Sequence, residues 1–254
     1  MVIPIHDANP TRRKPVVTWL LIAVNVVVFF RSPLVSAPLV GETPVARACR
    51  QEAFFRRYAT IPKEVVSNDP LPLTAGAPAG PDSCEAVRPD YEKSPFTSVL
   101  FAMFLHAGWL HLLGNMLFLW VFGNNVEDRL GRLRYLLFYL VCGYLATYVF
   151  SLAFADSQSI VVGASGAVAG VLGGYLVLFP RARVLSLLPF LLFLPMRLPA
   201  WLVLGSWFVL QYVYSQGAGV SEGGGVAYLA HVAGFVAGMV GVLLLRRKRH
   251  GPAF

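Results

Sequence analysis

Apolar residues gather along this chain in six blocks, at 16–30, 109–126, 135–154, 165–179, 199–214 and 226–245, each almost free of charge. At 1.5 Å of rise per residue, helices of these lengths approach or reach the ~30 Å hydrocarbon core of a bilayer. The runs are continuous, whereas a membrane barrel shows strands of ~10 residues with alternating polarity. Only helices and closed barrels satisfy the backbone in lipid. The pattern therefore predicts an all-α polytopic membrane protein with six transmembrane helices. A further apolar stretch, 184–194, is short, interrupted by Pro189 and followed by Pro195. It predicts an interfacial or re-entrant connector rather than a seventh span.

Between the first two blocks lies the one segment of soluble character, 31–94. The spacing Phe54-Phe55-x-x-Tyr58, within 49–63, predicts a short amphipathic helix on the membrane surface. The stretch 70–81, rich in Pro, Gly and Ala, predicts irregular connection. The organisation expected is a terminus at 1–15, a first span at 16–30, the segment 31–94, a core at 95–245 and a basic tail at 246–254.

Composition agrees with a membrane class: 56% of residues are hydrophobic and 13% charged, against roughly a quarter charged in soluble domains. The net charge of +8 changes the picture only through its distribution. Basic residues sit in short clusters beside the apolar blocks: Arg12-Arg13-Lys14, then Arg129, Arg132 and Arg134, then Arg181 and Arg183, then Arg246-Arg247-Lys248-Arg249. Such clusters set topology and build no groove for phosphates, so no nucleic-acid partner is expected. With the N-terminus inside, cytoplasmic segments collect 13 basic residues, while 31–94 balances the other 8 against 8 acidic ones. Both termini are expected in the cytoplasm and 31–94 outside. No cleavable leader is read, because the first block lacks a small-residue cleavage site. Cys49 and Cys84 both fall in 31–94, on the oxidising side, where a disulfide and two separate thiols are both open. Cys142, in the third block, reads as a small packing residue.

Polar residues inside spans are costly and are functional candidates by default. His111 and Asn115 are four apart near the start of the second block and share a helical face. Ser165 heads the fourth block and His231 lies early in the sixth. In this topology those three blocks all run from outside to inside, so the four side chains fall in one layer within ~10 Å of the outer ends. Singly, each has a structural explanation: a serine back-bonds to the preceding turn, and a histidine packs. Together they define a site. Gly166, Gly170, Gly173 and Gly174 in the fourth block, with Gly234 and Gly238 in the sixth, allow close helix approach and bring Ser165 against His231. Neutral imidazole suits the role of base to a serine nucleophile, and Asn115 and His111 offer donors to an oxyanion. No Asp or Glu lies in a span near that layer, which points to a Ser–His dyad. His106 and His111, five apart, share no helical face, and nothing completes a set with His231, so neither a metal nor another cofactor is expected.

Residues from about 96 to 245 resemble a rhomboid intramembrane serine protease of bacterial type. The resemblance rests on Gly163-Ala164-Ser165-Gly166, on His231 with Gly234 and Gly238, on His111-x-x-x-Asn115, and on Glu127-x-Arg129-x-Gly131. It implies a six-helix core with a water-filled cavity open to the outside, in the plasma membrane. The substrates it implies are single transmembrane helices cut near their outer ends. Ala169 stands where some members carry an aromatic that stacks on the histidine, and the resemblance leaves 31–94 unexplained. Two other classes compete. An inactive relative that binds membrane helices usually lacks Ser or His, and both are here. A transporter would spread ionisable groups along a path through the membrane, whereas these stop in one layer.

Overall fold

Six helices occupy the six apolar blocks of this computed structural model, which describes residues 2–71, 74–80, 83–87, 92–217 and 226–245. They are α1 (Val16–Arg31), α5 (Trp109–Leu130), α6 (Arg132–Ala153), α7 (Ser165–Leu178), α8 (Ala200–Gly217) and α9 (Tyr228–Leu245). Shorter helices α2 (Pro44–Tyr58), α3 (Pro62–Ser67) and α4 (Pro95–Ala102) lie between α1 and α5. Among the described residues, α6 and α9 are long and apolar enough to cross a bilayer on those grounds alone, while α1 and α7 are apolar but shorter. The basic tail 246–254 and the acidic Glu222 fall outside the described residues.

The bundle is built round α7. All its residues from Gly166 to Tyr175 are buried, as expected of a helix that is apolar on every side and packed at a centre. With 14 residues against 22 in α5 and α6, it rises about 21 Å where they rise about 33 Å. Glycines let α9 lie directly on it. A Cβ on Gly234 would run into the Gly166 carbonyl, one on Gly238 into the Gly170 carbonyl, and one on Gly173 into the Phe235 carbonyl. On the adjoining face, Gly166 and Gly170 receive Ala146 and Cys142 of α6, so Cys142 is the buried packing residue its position suggested.

At the end of the bundle away from Ser165, polar groups close into networks. Nothing in the first turn of α1 caps it, and its N-cap position is Pro15. The cap comes from α5: Glu127 accepts from the Val17 and Thr18 amides at 3.0 and 2.8 Å and from the Thr18 hydroxyl at 2.8 Å. Asp128 accepts from the Arg12 and Arg13 amides. Gly131, at φ +81°, turns the chain from α5 into α6 within one residue, a conformation that favours glycine. Within the Glu-x-Arg-x-Gly spacing, Glu127 thus ties α1 to α5 and Gly131 turns α5 into α6.

The structure corrects the all-α expectation. The chain is mostly helical, but strands β1 (Ile3–Asp7), β4 (Arg183–Leu188) and β5 (Leu194–Pro199) form an antiparallel sheet in the order β1-β4-β5. The stretch 184–194, expected as an interfacial connector, is the hairpin of that sheet. Pro189 opens a single 3-10 turn, Pro189–Leu191, at the tip of the hairpin, and burial alternates along β4 with the period of a strand. The irregular connection expected over 70–81 is also corrected. Strand β2 (Thr74–Gly80) pairs antiparallel with β3 (Ser83–Val87), and a disulfide joins Cys84 in β3 to Cys49 in α2. Phe54 and Tyr58 do sit on one face of a helix, α2, and Tyr58 meets Phe101 of α4 edge-on at 6.0 Å. Beneath it, Lys93 pairs with Glu64 at 2.5 Å and donates to the Arg56 carbonyl. Burial draws the Lys93 ammonium below its usual range, against the pull of Glu64.

Removing the cap on α1 should cost stability. Glu127→Ala leaves two amides and a hydroxyl without an acceptor, each worth about 1–3 kcal/mol when buried. Glu127→Gln keeps one acceptor oxygen and should lose less. Thermal unfolding in detergent micelles checks this, and equal melting of both variants with wild type would refute it.

Candidate functional site

Ser165 is the first residue of α7 and His231 lies in the first turn of α9. The glycine contacts that seat α9 on α7 carry the two side chains together: His231 Nε2 is 2.8 Å from Ser165 Oγ. The histidine is buried and the serine partly exposed. A hydroxyl donating to Nε2 uses the lone pair there, which places the imidazole proton on Nδ1. That is the tautomer in which Nε2 can accept the serine proton as the hydroxyl attacks an electrophile.

His111 sits on the other side of Ser165. Its ring lies against Gly163, so that a Cβ on Gly163 would stand 2.7 Å from both Cε1 and Nε2, and 3.6 Å from Ser165 Oγ. The imidazole and the hydroxyl therefore flank the same small space. Gly163 is at φ +124°, and its amide donates to the Ala102 carbonyl at 2.9 Å. Asn115 reaches the same face less directly. One of its amide protons goes to the His111 carbonyl one turn earlier, at 2.9 Å, and the structure gives it no bond to Ser165.

His106 precedes α5, so the helical-face comparison with His111 does not apply to it. The two rings meet edge-on at 5.1 Å. Burial holds His106 far below the usual imidazole range, at about 3, with His111 adding to the effect. It is therefore neutral and packs behind His111. Among the described residues no cluster of three or more His, Cys, Asp and Glu is placed to hold a metal. Two cavities of about 390 and 370 Å³ lie at the far end of the bundle around Arg13 and Asp128, remote from these side chains.

Three residues of the site were not singled out in the sequence, and two of them come from α8. Gln211 Oε1 is 2.7 Å from His231 Nδ1. Trp207, one turn earlier, lies over the same imidazole with centroids 6.0 Å apart and planes at 32°. Tyr228 meets it edge-on at 6.4 Å. The aromatic missing at Ala169 is thus replaced from another helix. The available signal was a tryptophan and a glutamine four apart in a largely apolar block.

Comparison with known proteins places the site in a family context. The Rhomboid domain matches residues 93–248, more than half of the chain. Over 159 residues the chain is 31% identical to "Rhomboid protein 1, mitochondrial" of Saccharomyces cerevisiae, covering 61% of this chain and 42% of that protein. It is 34% identical over 155 residues to "RHOMBOID-like protein 4" of Arabidopsis thaliana, covering 60% and 35%. A shorter match, 40% over 75 residues, joins it to "Putative rhomboid protease YdcA" of Bacillus subtilis, covering 28% and 36%. Each match spans less than half of the relative's own length.

The contact between Gly163 and His111 leaves no room for a side chain. Gly163→Ala should push the imidazole aside and strain the turn into α7, slowing fluorophosphonate labelling of Ser165 by up to about 10²-fold, as an ångström of misplacement does. Gly108→Ala is the control: Gly108 has extended backbone and nothing within 4 Å of a new Cβ. Equal labelling of the two variants would remove Gly163 from the site.

Proposed function

This chain belongs to the rhomboid family, and on that premise we propose that it is an intramembrane serine endopeptidase. The observation that carries the proposal is the 2.8 Å contact between His231 Nε2 and Ser165 Oγ, made between helices that do not adjoin in sequence. Ser165 attacks the scissile carbonyl while His231 takes its proton. The tetrahedral intermediate bears its negative oxygen in the space beside Gly163, where the His111 imidazole donates. The second amide proton of Asn115 joins it after a rotation of the side chain. His231 then returns the proton to the leaving amine, and water hydrolyses the acyl-enzyme by the reverse sequence.

In this reading α1 and α5 to α9 are six transmembrane helices with both termini in the cytoplasm, and 31–94 lies outside. The protein resides in a bacterial plasma membrane. Because α7, with 14 residues, is shorter than α5 and α6 at 22 and α8 and α9 at 18, a span that begins at Ser165 leaves a hollow above the serine. Water reaches the site through that hollow. Substrates are single transmembrane helices, cut near their extracytoplasmic end by the depth of Ser165. The dyad works without a carboxylate, metal or cofactor.

Ser165→Ala and His231→Ala should each abolish cleavage of a reporter carrying a single transmembrane helix, with melting temperatures near wild type. Appreciable turnover by either variant would end the dyad assignment. The topology is separable from it. An impermeant maleimide applied to whole cells, in a background free of the native cysteines, should modify a cysteine at the exposed Val40 and spare one at Lys14. The opposite labelling would invert the orientation and with it the depth assigned to Ser165.

A further inference from the structure

The site described above is a dyad, yet His231 is held at both ring nitrogens. We propose that Gln211 is a positioning residue for His231, the third member of a Ser–His–Gln relay that fixes the imidazole in the tautomer able to accept the Ser165 proton. This rests on the reading of Ser165 and His231 as nucleophile and base.

The geometry is specific. Gln211 Oε1 lies 2.7 Å from Nδ1, and Nε2 lies 2.8 Å from Ser165 Oγ. An amide oxygen only accepts, so Nδ1 carries the proton and Nε2 presents its lone pair to the hydroxyl. Had the amide presented its NH₂ group, Nδ1 would have to accept and Nε2 would carry the proton, which is the wrong form for a base. Gln211 and His231 are both buried, at 7% and 8% exposure, so water does not readily take the place of the amide. Trp207, on the same face of α8, packs on the ring and on Phe235 one turn further along α9. A single helix thus sets the position of the imidazole through an aromatic plane and its tautomer through a hydrogen bond.

The proton balance follows. As the Oγ–carbon bond forms, the Ser165 proton moves to Nε2. The Nδ1 proton stays on the ring and donates to Gln211, whose carbonyl dipole faces the new positive charge. A carboxylate at this position would favour the imidazolium more strongly. A neutral amide does so less and adds no buried charge, whose isolated transfer from water is very costly.

Among the described residues, the titratable groups facing His231 are His111 from α5 and Tyr228 on its own helix. Both are present in every variant compared below. The test uses the full chain in detergent micelles and the labelling rate of Ser165 by a fluorophosphonate, followed across pH. Gln211→Met keeps an unbranched side chain of similar length without an acceptor. It should slow labelling by about tenfold to a hundredfold, part of the roughly 10²–10⁴ that a positioned base supplies. Gln211→Glu should keep labelling but move the acid limb of the pH profile to higher pH, because a carboxylate stabilises the protonated ring. A packing role alone would not move that limb. In parallel, ¹⁵N spectra of histidine-labelled protein should show His231 in the Nδ1–H form in wild type and a mixture of tautomers in Gln211→Met.

Labelling by Gln211→Met at the wild-type rate, an unmoved acid limb in Gln211→Glu, or an unchanged tautomer would each overturn the proposal. Labelling of Ser165→Ala at the wild-type rate strikes the catalytic reading instead, and the tautomer measurement still decides the role of Gln211. Melting temperatures of both Gln211 variants separate loss of the relay from loss of the fold.

Discussion

The backbone contact between α7 and α9 is the constraint on which the rest of the molecule depends. Three glycines, at 173, 234 and 238, stand where any side chain would meet a carbonyl of the facing helix. In lipid, apolar side chains gain little by leaving the acyl chains for one another. Close van der Waals contact between helices has to supply the association. A hydrogen bond of 2.8 Å between a serine on one helix and a histidine on the other tolerates a few tenths of an ångström. A single methyl group at the crossing would exceed that. The contact between Ser165 and His231 is therefore a consequence of how two backbones pack.

The two ends of the bundle handle polar groups in opposite ways. Away from Ser165, Glu127 caps α1, Asp128 takes two amides of the N-terminal segment, and Asp7 accepts from Asn125 at 2.6 Å. Burial raises the Asp7 carboxyl above its usual range, opposed by the Asn9 amide that it accepts from. These networks fix the positions of α1 and α5, and they involve donors and acceptors that are largely spent. At the other end, His111, Asn115 and Ser165 keep part of their hydrogen-bonding capacity uncommitted. The proposed reaction would draw on that capacity, since donors already spent on the protein cannot follow a charge as it forms.

What the sequence revealed and what it concealed follow from the range of the interactions. The six helices were legible because each is specified by its own apolar run, and their ends fall within a few residues of those runs. Ser165 and His231 were legible because polar side chains are rare there and fall at one depth. The sheets were not. Residues 184–188 alternate over five positions only, and their partners are at 3–7 and 194–199, so nothing local announces the pairing. The hairpin of β2 and β3 was hidden by its Pro, Gly and Ala, and it is joined to α2 through a cysteine 35 residues away. Gln211 escaped because the fifth block runs in the opposite direction to the other three. Its polar residue lies near the C-terminal end of the helix rather than the start. Counted by depth instead of by order, it belongs to the same layer as Ser165.

The segment 31–94, which the family resemblance leaves unexplained, acquires a role from what it touches. Thr60 and Val161 exchange two backbone hydrogen bonds, at 3.2 and 2.8 Å, and the Lys63 amide donates to the Ser157 carbonyl at 3.0 Å. Both partners belong to the connector between α6 and α7, whose last residues are Gly163 and Ala164. That connector has no helix or ladder of its own beyond the Thr60 bridge. It must nevertheless hold Gly163 at φ +124° with an imidazole against it. The hydrogen bond from Gly163 to Ala102 fixes one end, and α3 with the residues before it fixes the other. The ion pair of Lys93 with Glu64 and the bond from Lys93 to Arg56 join α3 and α2 to the start of α4, which leads into Ala102. The connector is thus clamped from both sides by one continuous piece of chain. Residues that touch neither Ser165 nor His231 set the backbone from which Ser165 departs.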